Sequence, residues 1–263
     1  MTLRLENKNI VLIGAGQTKG ESIGIGRATA LLFAREGANL LLVDRYRSAA
    51  EETLAMIEDE GGSARVHQAD ITSADACAGL VNTARAELGG IDVLFNGVGI
   101  HGPGLVADAD EQLWDTVIET NLKAMWLVAK HVLPVMVDQG GGSIVMISSI
   151  GALRGGTSAV YGISKAGVSR LVTSIAATYA AHNIRANAIL PGLIDTPMAV
   201  EAAIAKMGVT REELVSQRDA KTPMAYKGSA WDVALAALFF ASDESRFVSG
   251  AQLAVDGAVT ASR

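Results

Sequence analysis

Short, nearly unbroken apolar runs alternate along this chain with longer stretches whose apolar residues recur at three- and four-residue spacing. Ile10–Ile13, Leu40–Val43, Val93–Phe95, Ile144–Ile147 and Ala186–Leu190 predict strands buried on both faces, the pattern of a parallel sheet covered by helices. Ala64–Gln68 and Gln252–Val255 are weaker strand predictions. Between the strands, the spacing predicts helices over Gly24–Glu36, Ala49–Glu60, Asp75–Leu88, Ser158–Ala181 and Ser229–Ala241. A further long helix is predicted from a start at Asp108 and Glu111 to about Asp138. Local chemistry marks the ends. Gly37 is a left-handed stop, and Thr72 with Asp75, Asp108 with Glu111, and Ser229 with Asp232 read as paired caps.

Strand and helix alternate from end to end. This predicts one α/β domain over 1–263, a doubly wound sheet with right-handed crossovers. One segment interrupts the alternation. Thr196 to Lys227 reads as one or two short helices inserted before the last helix, a substrate lid over 196–227, with Thr196 as cap and Pro197 in the first turn.

Composition narrows the function. The 28 glycines among 263 residues exceed a usual ~7%, but without proline enrichment or a three-residue period they do not indicate a fibre or disorder. The lone Cys77 excludes an internal disulfide framework and a cysteine-built metal site, and fits a reducing compartment. Net charge is −6, from 22 basic and 28 acidic residues, with no basic stripe, so nucleic acid is not expected as a partner. The longest apolar run, Val233–Ala241, is too short for a bilayer, and no apolar leader opens the chain. The expectation is a soluble cytoplasmic protein with no membrane partner.

Two constellations carry chemistry. The first is the loop from Gly14 and Gly16 to Gly24-Ile25-Gly26, set between the first strand and first helix. Glycines there let backbone approach a pyrophosphate, and the helix N-terminus offers amide hydrogens. Asp44, ending the second strand eighteen residues after Gly26, can accept from both ribose hydroxyls and disfavours a 2′-phosphate, which points to NAD. Arg45 and Arg47 could neutralise such a phosphate and leave NADP open. Asp70 could bond the adenine edge or start a helix with Thr72.

The second is Tyr161 and Lys165, four apart on a helix and therefore on one face. An ammonium beside a phenol favours the phenolate and lowers its pKa, which makes it a proton donor or acceptor for alcohol–ketone chemistry. Ser148, thirteen residues before Tyr161, could hold the substrate oxygen. The amide of Asn121 could support a water chain toward Lys165, and backbone groups from Pro191-Gly192 through Ile194 to Thr196 could bond a carboxamide.

In the order and spacing of these parts, with Asn96-Gly97-Val98-Gly99 after the fourth strand, the chain resembles the short-chain dehydrogenase/reductase family over nearly its whole length. The resemblance implies a Rossmann-type sheet of seven parallel strands and a catalytic tetrad of Asn121, Ser148, Tyr161 and Lys165. It also implies a nicotinamide cofactor held by Gly14, Gly16, Ile23, Gly24, Ile25, Asp44, Arg45, Asp70, Ile71, Asn96, Gly97, Val98, Tyr161, Lys165, Pro191, Gly192, Ile194 and Thr196, and assembly into a homo-oligomer, dimer or tetramer. Two features depart from the family's pattern. Ile13 stands in place of threonine with six extra residues in the glycine loop, and Gly97 stands where a second asparagine is common. Long glycine loops also occur in the family's divergent enoyl reductases, which space tyrosine and lysine more widely. The reaction expected is therefore hydride exchange between NAD and a secondary alcohol or its ketone. The alternatives are an NADPH-dependent 3-oxoacyl-thioester reductase and a non-catalytic dinucleotide-binding regulator.

Other polar residues read plainly. His101 is taken as a surface loop residue and Arg154 as solvated, although it could meet a carboxylate. Lys19 and Glu21 touch phosphates or solvent, Cys77 packs in the core, and His67, His131 and His182 show no metal spacing.

Overall fold

The computed structural model describes residues 3–224 and 227–262, apart from the side chains of 202, 205 and 206. Seven strands, β1 (Asn9–Ile13), β2 (Asn39–Asp44), β3 (Ala64–Gln68), β4 (Val93–Asn96), β5 (Gly142–Ile147), β6 (Ile184–Pro191) and β7 (Gln252–Val255), form one sheet in the order β3-β2-β1-β4-β5-β6-β7. Every pairing is parallel. The order reverses between β1 and β4, so a crevice opens at the carboxyl ends of those strands. Register brings the loops there to one level, with Ile13 opposite both Val43 and Asn96.

The strands read as continuous apolar runs because each face meets its own core. Val11, Ile13, Leu41, Val43, Leu94, Ile144 and Met146 pack against α3 (Ala74–Leu88), α5 (Ala124–Asp138) and α6 (Ala159–Tyr179). The alternate positions Ile10, Leu12, Leu40, Leu42, Val93, Phe95 and Val145 pack against α1 (Ile25–Arg35), α2 (Arg47–Asp59) and α9 (Ala230–Ala241). Alternation along a strand thus persists as a choice between two apolar faces.

Two helix starts differ from the sequence prediction. Ser73, not Thr72, caps α3, accepting from the Ala76 amide at 3.3 Å. Thr72 is unavailable because its amide and hydroxyl both donate to Asp70 Oδ1, at 3.0 and 2.8 Å. Asp110, not Asp108, caps α4 (Glu111–Ile118), accepting from the Leu113 amide at 2.7 Å. The Asp108 carboxylate turns back to the Leu105 amide. The predicted long helix is also broken: a π turn over Glu119–Lys123 separates α4 from α5. At the last helix, Asp232 accepts from the Ser229 amide at 2.7 Å, as predicted.

The insert forms α7 (Pro197–Met207) and α8 (Arg211–Asp219). Thr196 stands at the N-cap with Pro197 in the first turn, but its hydroxyl caps no helix amide. Of the proposed 196–227 lid, positions 225 and 226 lie outside the described residues.

Candidate active site

Sheet topology collects the predicted residues at the crevice. Gly14 leaves β1 with φ of +81°, and a Cβ on Gly26 would collide with the Gly14 carbonyl oxygen. The loop therefore closes tightly onto the start of α1. The six extra residues form a braced structure: Gln17 accepts from the Gly24 amide at 2.7 Å and donates to the Ser22 carbonyl at 3.3 Å. The far side of the loop leans on the insert. A Cβ on Gly20 would lie 2.9 Å from both Pro197 and Glu201. Arg211 of α8 fastens this contact, donating to both Asp195 carboxylate oxygens at 2.8 Å and reaching Glu201 and Glu21 at 3.3 Å each.

Asp44 sits at the rim, its two oxygens accepting from the Gly16 and Tyr46 amides at 3.0 Å each. Both neighbouring arginines are engaged. Arg45 donates to the Tyr46 hydroxyl at 2.7 Å and covers its ring, and Arg47 pairs with Glu51 at 2.8 Å. Bonding to Thr72 holds the Asp70 carboxyl below its ordinary pKa, and Ile71 beside it is buried. At the end of β4, Asn96 is fully buried; its Oδ1 accepts from the Val98 amide at 3.2 Å. Its Nδ2 and the Ser22 hydroxyl are buried with no partner among the described residues. An unmet buried donor costs about 1–3 kcal/mol, and the Ser22 hydroxyl, in the glycine loop, is one that a bound group rich in acceptor oxygens, such as a dinucleotide, would meet. Ser22 carries no signal in sequence, since nothing distinguishes it from other loop serines.

α6 carries Tyr161 and Lys165 one turn apart. Lys165 is 2% exposed, and its Nζ donates to the Ile147 carbonyl at 2.9 Å and the Val98 carbonyl at 3.4 Å. Burial pushes its ammonium down to about 8. Nζ lies 5.9 Å from the Tyr161 ring centre. The expected lowering of the phenol does not follow in the unliganded chain. Burial raises the pKa of Tyr161, and a hydrogen bond from the Ser149 hydroxyl opposes it only in part.

The serine expected from its spacing does not face Tyr161. Ser148 points the other way, its hydroxyl donating to the Lys165 carbonyl at 2.8 Å and lying 3.0 Å from the Ser169 hydroxyl. Neighbours on extended backbone face opposite sides, so the crevice receives Ser149. Asn121 is the central residue of the π turn and fully buried. Its Oδ1 accepts from the Ile100 amide at 2.7 Å, and its Nδ2 donates to the Ile100 carbonyl at 2.9 Å and the Ser164 hydroxyl at 3.1 Å. Both amide hydrogens are thus committed to holding the loop after β4, rather than to a water chain.

Beyond β6, the Gly192 amide bonds the Val255 carbonyl at 2.9 Å, and the Ile194 carbonyl already accepts from Arg218 at 3.1 Å. Pro191 and Thr196 are buried beside them. His101 is an exposed loop residue, as read from sequence, and it also stacks on Tyr161 with ring centres 5.2 Å apart. Desolvation, with the positive charges of Arg218 and Lys165, pushes its imidazole below the ordinary value. Arg154 donates to the Val259 carbonyl at 2.8 Å. Cys77 is buried, its thiol pushed up to about 11. No group of three metal-binding side chains occurs among the described residues, nor any helix long and apolar enough to cross a membrane.

Comparison with known proteins matches this arrangement across the chain. A family profile described as Enoyl-(Acyl carrier protein) reductase matches residues 20–260. The chain is 39% identical to cis-4-hydroxycyclohexanecarboxylate dehydrogenase of Sinomonas cyclohexanicum over 92% of this chain and 94% of that protein. It is 36% identical to the 3-oxoacyl-(acyl-carrier-protein) reductase of Thermotoga maritima over 97% and 98% of the two. The crystal structure of levodione reductase superposes with a TM-score of 0.93 at 29% identity, covering 99% of this chain and 100% of that one.

Proposed function

Because this chain belongs to the short-chain dehydrogenase/reductase family, whose members move hydride between a nicotinamide cofactor and an alcohol or ketone, we propose that it oxidises a secondary alcohol with NAD, or reduces the matching ketone, through Asn121, Ser149, Tyr161 and Lys165. The observation that carries this reading is the fully buried Lys165 one turn from Tyr161 on α6, its Nζ 5.9 Å from the Tyr161 ring centre. When bound, the nicotinamide supplies the hydride acceptor and a positive charge. Ser149 and Tyr161 hold the substrate oxygen, and Tyr161 takes its hydroxyl proton. Lys165 keeps positive charge near the phenol. Asn121 positions the loop after β4 by gripping both backbone groups of Ile100.

The residues present fit the cofactor. Gly14, Gly16, Ile23, Gly24 and Ile25 would cradle the pyrophosphate, with the orphaned Ser22 hydroxyl as a further donor. Asp44 would take the adenosine ribose, Asp70 and Ile71 the adenine, and Asn96, Gly97 and Val98 the inner ribose together with Tyr161 and Lys165. Pro191, Gly192, Ile194 and Thr196 would meet the carboxamide, where the uncommitted Thr196 hydroxyl is a ready partner. NAD is favoured over NADP because Arg45 and Arg47 already have partners. The second reading, NADPH-dependent reduction of a 3-oxoacyl thioester, draws on the Thermotoga relative. The four-residue Tyr161–Lys165 spacing speaks against the enoyl reduction in the profile's description.

We place the protein in the cytoplasm, in keeping with its single, buried cysteine. We also propose a homo-oligomer, tetramer or dimer, supported by the exposed apolar Trp114, Trp126 and Ile163 on α4, α5 and α6, with solution sizing as its check. The decisive test of function is a panel of secondary alcohols with NAD, read as NADH absorbance. Tyr161→Phe is expected to abolish turnover and leave NADH binding intact. Retained turnover would overturn the mechanism, and a strong NADPH preference would favour the thioester reading.

A further inference from the structure

The insert brings one more cation to the crevice. Arg218 on α8 is half-buried, its Nη2 donates to the Ile194 carbonyl at 3.1 Å, and no carboxylate pairs with it among the described residues. The two acids whose charge reaches it are engaged elsewhere. Asp195 takes both of its bonds from Arg211 at 2.8 Å, and Asp219 lies 3.8 Å from the Lys227 ammonium. Burial therefore outweighs both acids and pushes the guanidinium below its ordinary value.

On its other side, the charge of Arg218 reaches His101, the imidazole stacked on Tyr161. Lys165 adds a second positive charge there, and no carboxylate among the described residues offsets either at that ring. A guanidinium is a rigid fork of five donors that stays charged at every physiological pH. Here one donor has a protein acceptor among the described residues. A half-buried fork with open donors, tied to Ile194 in the segment after β6 and paired with no acid among the described residues, suits a planar oxyanion held by two parallel bonds.

We propose that Arg218 receives an anionic group of the substrate, so that the alcohols and ketones handled here carry a carboxylate or similar oxyanion away from the reacting carbon. This rests on the alcohol–ketone reading above and specifies its substrate class. The lid thereby acts as a selector as well as a cover.

The test uses the NAD-saturated full chain and secondary alcohols in pairs, each hydroxy carboxylate beside its methyl ester, with short-chain, ring and sugar-acid skeletons. Carboxylates are expected to exceed their esters in kcat/KM. Arg218→Met should raise KM for the carboxylates about 10- to 100-fold, leave the ester values in place and spare kcat. Arg218→Lys should recover part of the loss. Esters turned over as well as acids, or an Arg218→Met variant that weakens both alike, would overturn the proposal and leave the alcohol reaction standing. If no alcohol in the panel is oxidised, the reaction reading fails instead, and quenching of NADH fluorescence by the same carboxylates decides the anion site. Saturable quenching lost in Arg218→Met supports it, and no difference between the two proteins overturns it.

Discussion

Ser148 and Ser149 are adjacent and chemically identical, yet the Ser148 hydroxyl is tied into α6 while that of Ser149 lies on the side of the Tyr161 ring. Ser148 is buried against α6, so Ser148→Ala is expected to lower stability by about 1–3 kcal/mol in urea unfolding and leave kcat nearly unchanged. Ser149→Ala should do the reverse, lowering kcat about 100-fold or more with little change in unfolding. Lys165 poses a different problem. Its folded value of about 8 lies below the ordinary 10.5, so the fold favours the neutral amine. That contribution is fully present above 10.5 and is lost as pH falls through about 8; at pH 7 the charged form burdens the fold by about 3 kcal/mol. Lys165→Met should therefore melt higher than the parent at pH 7 while losing turnover, and the gap should narrow by pH 10. For Tyr161, whose pKa is raised, alcohol oxidation should gain and ketone reduction should lose as pH increases, since oxidation needs the phenolate and reduction the phenol.

Among the elements, the strands were the most legible, because burial on two faces leaves little choice of residue type at any position. Helix boundaries were less so. The sequence pointed to Asp108, three residues before Glu111, and only the turn of the preceding loop decides that the Asp110 carboxylate reaches an amide instead. Asp110→Ala is expected to cost about 1 kcal/mol and Asp108→Ala clearly less, measured as shifts in the urea midpoint. The π turn was hidden because one extra residue per turn barely disturbs an apolar periodicity, and α4 and α5 read as one helix. Its consequence lies in the site, since Asn121 sits at the widened turn and grips Ile100 from there. Similarly, the thirteen-residue spacing placed a serine near Tyr161, but one step along an extended chain reverses a side chain. His101 and Arg218 had no motif at all. Their places come from long-range packing, which stacks His101 of the loop after β4 on Tyr161 and ties Arg218 of α8 to Ile194 after β6.

For the whole molecule, the lengthened glycine loop and the insert are far apart in sequence and meet at one guanidinium. Arg211 holds Asp195 tightly, while its reach to Glu21, an exposed side chain, is longer. If the loop cradles a dinucleotide and the insert covers substrate, as proposed above, Arg211 couples the two parts, and that has a kinetic meaning. On the proposed reading, substrate would enter beneath a cover whose position depends on a settled cradle, and the two ligands are then expected to bind in a compulsory sequence, nucleotide first on and last off. NADH should then inhibit competitively against NAD and non-competitively against alcohol. Arg211→Met, which frees the cover from the cradle, should turn this ordered pattern into a random one, and an unchanged inhibition pattern would show the two parts to move independently.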